Sequence, residues 1–254
     1  MPNLVAHIGF GLDCVGLEEE SLISNNLGSF LLGCCSPDVR IITKMSRDKT
    51  HFVPISNKVI GTGTHNLFKE NPNLLNKKSL NSVTKSFLAG YILHLVADET
   101  WIIDMYRPFF GNRKVFPNKI IGNIMDRAMQ LDMDRNTHLP HENFSDYVNE
   151  LAINFEDIDI DFISNQSFKE FTDTIKRVFS NTFDWGRLIF MIRRQYPDED
   201  SKIAESLAND FINNLPHSLE DLYIQVPKSK IETYRANILS SWQLLIKEYL
   251  LWKL

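Results

Sequence analysis

Cysteine is scarce in this chain. Its 254 residues include only Cys14, Cys34 and Cys35, and no CxxC pair occurs. That excludes a disulfide framework and a zinc ribbon, and it fits a reducing compartment. Positive charge is not in excess either. The formal net charge is -5, which argues against a dedicated nucleic-acid binder with a basic stripe. It leaves room for an enzyme of phosphate esters, because a metal supplies positive charge locally. No apolar run approaches the ~20 residues of a membrane span. The opening MPNLVAHIGFGLDCVG lacks the basic start of a secretory signal, and His7 and Asp13 interrupt its apolar run. Cytoplasmic placement is the resulting expectation. Alternating strand-like runs are few, and IDIDF, Ile158 to Phe162, is the one clear candidate. There is no internal repeat. There is also no adjacent His-Asp dipeptide, which sets aside the HD-type phosphohydrolases.

What the chain does have is helical periodicity and enough apolar content, 43% hydrophobic and 11% aromatic, for a substantial core. Leu4, Ile8 and Leu12 predict a first helix around His7. Asn25 or Asn26 is placed to cap a helix from Leu27 to Cys35 that Pro37 should end. Ser36 to Pro54 reads as irregular or partly helical, and Gly61 to Ser79 as loop around one short helix. A long helix is predicted from Ser82 to about Tyr106, broken by Arg107-Pro108 and Gly111-Asn112, with another from Lys119 to about Arg135. Amphipathic helices follow near Phe144 to Asn154, Ser167 to Ser180, Asp184 to Gln195, Ser201 to Asn214 and Ser229 to Leu254. The acidic stretch Asn154 to Phe162 reads as a hinge. The prediction is an all-α, single-domain multi-helix bundle over residues 1–254, with its chemistry mainly in 1–140 and further helices in 160–254.

The stretch GYILHLVADETW, Gly90 to Trp101, poses the chemical question. His94 and Asp98 lie four residues apart, so both project from one face of an apolar helix. An ionisable pair in such a setting must be hydrogen-bonded, ion-paired or metal-bound. Alone, it is as readily a satisfied core pair as a metal site. Its company includes His7 on the first helix, Asp38 directly after Pro37, and His51 in Thr-His-Phe. Imidazole with carboxylate is the ligand set expected of zinc and its first-row neighbours.

Each residue also has an ordinary reading. His7 suits a half-buried helix histidine, Asp38 a turn or cap residue, and His51 a loop histidine. His65 and His217 read as solvated, and Cys34 and Cys35 as packing residues. Arg40, Arg47 and Lys49 fall between two candidate ligands, where they fit a phosphate or a solvated basic run equally well. Trp101 either walls the site or packs.

In this order, VAHIGF, FLLGCCSPDVR, THF and FLAGYILHLVADETW resemble the zinc-dependent phospholipase C family, whose helical fold is shared with P1-type nucleases. The resemblance covers about the first 100 residues. It implies one metal site of Asp38, His51, His94 and Asp98, with Asp98 bridging to a second metal that His7 also binds. It further implies a metal-activated water attacking phosphorus, with Asp38 placed to orient or deprotonate it. Zinc is the implied cofactor, at one to three divalent ions, with manganese or iron as alternatives. The implied substrate is a small or lipid-like phosphoester, with no nucleic-acid partner.

Two features depart from the family pattern. Secreted members use a processed N-terminal amine and carbonyl at the second metal, whereas this chain begins at Met1. The family's further site takes two more histidines and a glutamate four residues after the second. The later HxxHE of His138, His141 and Glu142 does not match that spacing, which leaves Asp126, Asp132 and Asp134 as substitutes. Two other readings stay open: a metal enzyme acting on an intracellular metabolite or carrier-bound intermediate, and a non-catalytic helical protein with a vestigial metal site.

Overall fold

A computed structural model describes residues 1–15, 17, 20–138, 155–198 and 200–251, and no strand occurs among them. The α-helices are α1 (Leu4–Asp13), α2 (Glu20–Ser24), α3 (Leu27–Cys35), α4 (Arg40–Thr43), α5 (Arg47–His51), α6 (Thr62–Glu70), α7 (Ser82–Thr100) and α8 (Lys119–His138). They continue as α9 (Asn165–Ser180), α10 (Arg187–Gln195), α11 (Ser201–Asn213), α12 (His217–Gln225) and α13 (Lys228–Tyr249).

Helix α7 is the axis of the molecule. The Asn81 side chain accepts the Thr84 backbone N–H at 2.7 Å and so caps its first turn. From Ser86 to Thr100 every residue is buried. A helix that is apolar on all sides belongs inside a core rather than on a surface. Here α1, α3, α6 and α13 pack around it.

The α3–α7 crossing is the closest. A Cβ placed on Gly33 would lie 2.0 Å from the Phe87 carbonyl oxygen, and one on Gly90 would lie 2.0 Å from that of Phe30. Only glycine at both positions lets the two backbones touch. Along the other side lies α13. Its Trp242 Nε1–H donates to the Ala89 carbonyl at 2.8 Å, and its Tyr234 hydroxyl donates to that of Ala97 at 3.1 Å. Tyr234 and Trp242 of the last helix are therefore core. Burial of this kind is worth about 3–5 kcal/mol per large aromatic side chain by truncation to alanine.

Pro37 ends α3 at Cys35 as expected, and the partly helical stretch beyond it is a 3₁₀ turn, Ser36–Val39, followed directly by α4. Several other elements depart from the sequence-based expectation. Arg107-Pro108 does not break the long helix. After Thr100 it widens into a π-helix, Trp101–Phe110, closed by the Gly111 N–H on the Tyr106 carbonyl at 2.6 Å. A proline ring collides with the i−4 carbonyl of an α-helix, and the wider winding relieves that clash.

The expected strand Ile158 to Phe162 is irregular chain after a 3₁₀ turn, Phe155–Asp157. Its polar backbone is satisfied by the start of α7. Asn81 Nδ2 donates to the Asp157 carbonyl at 2.9 Å, and the Asp159 N–H donates to Thr84 Oγ1 at 2.9 Å. The Phe162 ring stands edge-on to Phe52 and Tyr91, each at 5.5 Å. The segment from residue 155 is thus anchored rather than hinge-like. Helix α12 was not anticipated, since only Leu219 and Leu222 mark its buried face. The helix expected at 144–154 lies outside the described residues.

Candidate metal centre

Three short stretches bring the histidines and aspartates onto α7. The glycine crossing sets the Cys34 carbonyl 2.7 Å from His94 Nδ1. That carbonyl can only accept, so Nδ1 carries the proton and Nε2 keeps its lone pair. His51 closes α5, where Thr50 Oγ1 lies 3.0 Å from its Nδ1. The next residue, Phe52, turns left-handed at φ 57°. That conformation is strained for a bulky residue and occurs where surrounding structure enforces it. Asn66 Nδ2 enforces it here by donating to the Phe52 carbonyl at 2.8 Å. His7 lies midway along the buried face of α1, its ring stacked on His94 at 3.7 Å.

All three rings converge on Asp98. His51 Nε2 is 3.1 Å and His94 Nε2 3.8 Å from its Oδ2, and His7 Nε2 is 3.5 Å from its Oδ1. Asp38 stands at the edge, 19% exposed, with Oδ1 3.9 Å from His51 Nε2. Two overlapping groups have ligand atoms close enough to share an ion: His7, His94 and Asp98, and Asp38, His51 and His94. All five residues singled out in the sequence are thus in one place.

Five buried atoms of these side chains make no hydrogen bond: both ring nitrogens of His7, Nε2 of His51 and of His94, and Oδ1 of Asp98; His51 Nε2 has only the ionic approach to Asp98 Oδ2. Each such atom costs roughly 1–3 kcal/mol if nothing ever meets it. Convergent imidazole lone pairs beside a carboxylate are what a divalent cation of the zinc type takes. The donor set therefore fits the metal.

The charges agree. Burial drives the His94 pKa well below its ordinary value, with His7 adding to the effect, so the ring is neutral. Burial acts to raise that of Asp98. The Arg47 guanidinium, with His51 and His7, outweighs it and holds the carboxyl well below the usual range. The site thus keeps an ionised Asp98 carboxylate beside a neutral His94 imidazole, protonation states that metal ligation requires.

Two supports carried no clear signal in the sequence. Arg47 Nη2 donates to Asp98 Oδ2 at 2.9 Å. Glu99, also buried, accepts the N–H groups of Gly61 and Gly63, the latter at 2.6 Å, and so caps the start of α6. Gly63 in turn lies against the His51 carbonyl, where a Cβ would approach to 2.7 Å. A glutamate next to Asp98 inside an apolar helix was the available clue.

The three aspartates of α8 are placed differently. Asp126 accepts Trp101 Nε1–H at 2.9 Å. Trp101 is thus a packed residue that holds a carboxylate. The Met1 amine is buried, which pushes its pKa down to about 6 against the opposing charge of Asp126. Asp132 accepts from Arg135, Asn136 and Tyr223. Asp134 accepts from Asn3 at 3.1 Å and pairs with Arg187 at 3.3 Å. Among the described residues none of the three joins a group of possible metal ligands. The His138 side chain, His141 and Glu142 lie outside them. His65 and His217 are exposed and bonded to Tyr249 and Glu220. Cys34 and Cys35 are buried free thiols, raised by burial.

The family model described as zinc dependent phospholipase C matches residues 6–182. The chain belongs to the zinc-dependent phospholipase C family. The match reaches well past the resemblance read over the first 100 residues and takes in α8 and α9. An all-helical fold of the phospholipase C and P1 nuclease type is what the structure shows. No curated protein and no solved structure matches the chain. For a zinc-dependent phospholipase C family member, zinc is the metal to which the His and Asp groups correspond. Among the described residues, no helix is long and apolar enough to cross a membrane.

Proposed function

We propose that this protein hydrolyses a phosphoester, of the phospholipid type that its family membership suggests, at a centre built by His7, Asp38, His51, His94 and Asp98. The observation that carries the reading is that three Nε2 atoms and Asp98 Oδ1 are buried without a hydrogen bond in two overlapping groups of possible ligands that share His94. His51, His94, Asp38 and Asp98 would hold one ion, and His7 with Asp98, whose two oxygens face different histidines, would help hold a second. When bound, such a metal acidifies water and stabilises charge on phosphoryl oxygens.

The chain's own residues do the rest. The Cys34 carbonyl and the Thr50 hydroxyl orient two rings so that Nε2 faces inward. Asp38, the most exposed of the five, is the carboxylate open to an incoming water. It orients that water and takes its proton as the water oxygen bonds to phosphorus, while the ester P–O bond breaks and the leaving alcohol takes up a proton from solvent. The C-terminal helices act as scaffold, through Tyr234 and Trp242 on the α7 carbonyls.

A second reading is favoured by the Arg47–Asp98 pair, which already supplies a cation to the central carboxylate. On that reading the site is a vestige and the protein a non-catalytic helical module. Metal content and phosphodiesterase turnover of the wild type and of Asp98→Asn decide between the two. The hydrolase binds zinc, turns over and loses both in the variant. A metal-free protein indifferent to the substitution leaves the hydrolase reading without support.

A further inference from the structure

Of the four basic residues between Asp38 and His51, Arg47 is the one whose side chain meets a candidate ligand. Lys44 and Lys49 are exposed. Arg40 has one buried nitrogen without a hydrogen bond, Nε, whereas Arg47 has two and is also bonded to Asp98. Arg47, at the start of α5, has a side chain only 10% exposed and reaches Asp98 through Nη2. Its Nε and Nη1 are buried and make no hydrogen bond.

A counter-ion for Asp98 needs only the one nitrogen. Arginine carries five N–H donors in a rigid fork, no acceptor, and a charge it does not shed. Buried donors on a permanent cation call for an acceptor that arrives from outside and is itself anionic. Nearby carboxylates do not meet the need. Asp98 is already engaged by Nη2, and Glu99 is taken up by the Gly61 and Gly63 amides. Arg47 stands beside the carboxylate on which all three histidines converge, where a substrate phosphoryl group must lie if the hydrolase reading holds.

We propose that Arg47 is the phosphate-recognition residue of the centre: Nη2 holds Asp98, while Nε–H and Nη1–H receive a non-bridging phosphoryl oxygen. This rests on the hydrolase reading and adds to it the side chain that reads the anion. A guanidinium beside the ligands also supplies positive charge that does not depend on how many metal ions are present. The chemistry is shared by free phosphate and by a phospholipid headgroup.

The test is calorimetric titration of zinc-loaded wild type, Arg47→Lys and Arg47→Gln with inorganic phosphate in one arm and glycerophosphocholine in the other. Zinc content is measured for each protein. Lysine retains the charge beside Asp98 with a single nitrogen, so that variant keeps the comparison open if the glutamine form does not fold. The expected result is unchanged zinc stoichiometry. Phosphate binding should weaken about 10-fold or more in Arg47→Gln and by a smaller factor in Arg47→Lys, as charge-assisted hydrogen bonds are lost. In the wild type alone, the Arg47 Nε–H resonance should shift as phosphate is added.

Binding of glycerophosphocholine with the same dependence on Arg47 supports the proposal with a headgroup diester as ligand. Dependence confined to phosphate supports it with a phosphate dianion as ligand. Equal affinities in all three zinc-loaded proteins, or an unmoved Nε–H resonance, overturn the role of Arg47 and leave the hydrolase reading standing. A wild type that takes up no zinc overturns the hydrolase reading, and this inference with it.

Discussion

Two buried polar regions of this protein contain similar residues and are organised in opposite ways. Along α8, Asp126, Asp132 and Asp134 are met by Trp101, by Tyr223 with Arg135 and Asn136, and by Asn3 with Arg187. At the centre on α7, three imidazole nitrogens and a carboxylate oxygen face one another unmet. Both regions are deeply buried and both carry ionised groups. Protein partners largely saturate the first and leave Nε2 of three histidines and one Asp98 oxygen in the second without a hydrogen bond. Hydrogen-bond satisfaction, more than burial or residue type, separates structural polar groups from functional ones.

The largest test of that contrast is a matched pair of substitutions. Asp98→Asn should cost at least about 100-fold in metal affinity and turnover, since changes even in outer-shell partners cost 10–100-fold. Asp132→Asn should leave zinc content within about twofold and appear only in chemical denaturation, as roughly 1–3 kcal/mol of lost stability. Equal metal loss in both variants would break the comparison.

Next comes the crossing that connects core to centre. Gly90→Ala forces a methyl group to within 2.0 Å of a backbone oxygen that no rotamer can move. About 3 kcal/mol of destabilisation is expected in a urea melt, at the upper end for overpacking. The cobalt-substituted protein should also show an altered visible spectrum, because the Cys34 carbonyl retreats from His94. A spectrum identical to wild type would detach the crossing from the site.

A smaller effect sharpens the other side. Burial pushes Asp134 from an ordinary 3.8 up to about 6, against the opposing pull of Arg187 and Asn3. Its native form thus binds more protons than its unfolded form between those values. The stability it contributes is full below about pH 4 and is lost as pH rises towards 6, a change of about 3 kcal/mol. Asp134→Asn should flatten that part of the stability–pH curve, as read by urea midpoints at several pH values. Zinc content should not change.

Much of this organisation was legible in the sequence, and the parts that were not share a cause. The i,i+4 spacing of His94 and Asp98, the bounds of α3 and the α1 helix around His7 follow from periodicity, a local property. The π-helix past Pro108 was not foreseen, because the proline rule presumes α-helical winding. IDIDF alternates like a strand but has no neighbouring strand, and its backbone bonds to Asn81 and Thr84 instead. Arg47 was one of several indistinguishable basic residues until burial separated it from Lys49 and the bond to Asp98 marked it out. Glu99 caps a helix that begins 37 residues before it, at Thr62, which no window along the chain reveals. Local rules found the side chains of the candidate site, and only tertiary packing showed what holds them.

Cys34 illustrates the same division at a single residue. It supports His94 through its carbonyl alone, and its thiol faces the core, raised by burial away from the thiolate. The orientation of that histidine is therefore indifferent to which small side chain position 34 carries. The three cysteines can be exchanged for alanine or serine to give a thiol-free chain, on which a single introduced cysteine reports distances from the centre without competing chemistry.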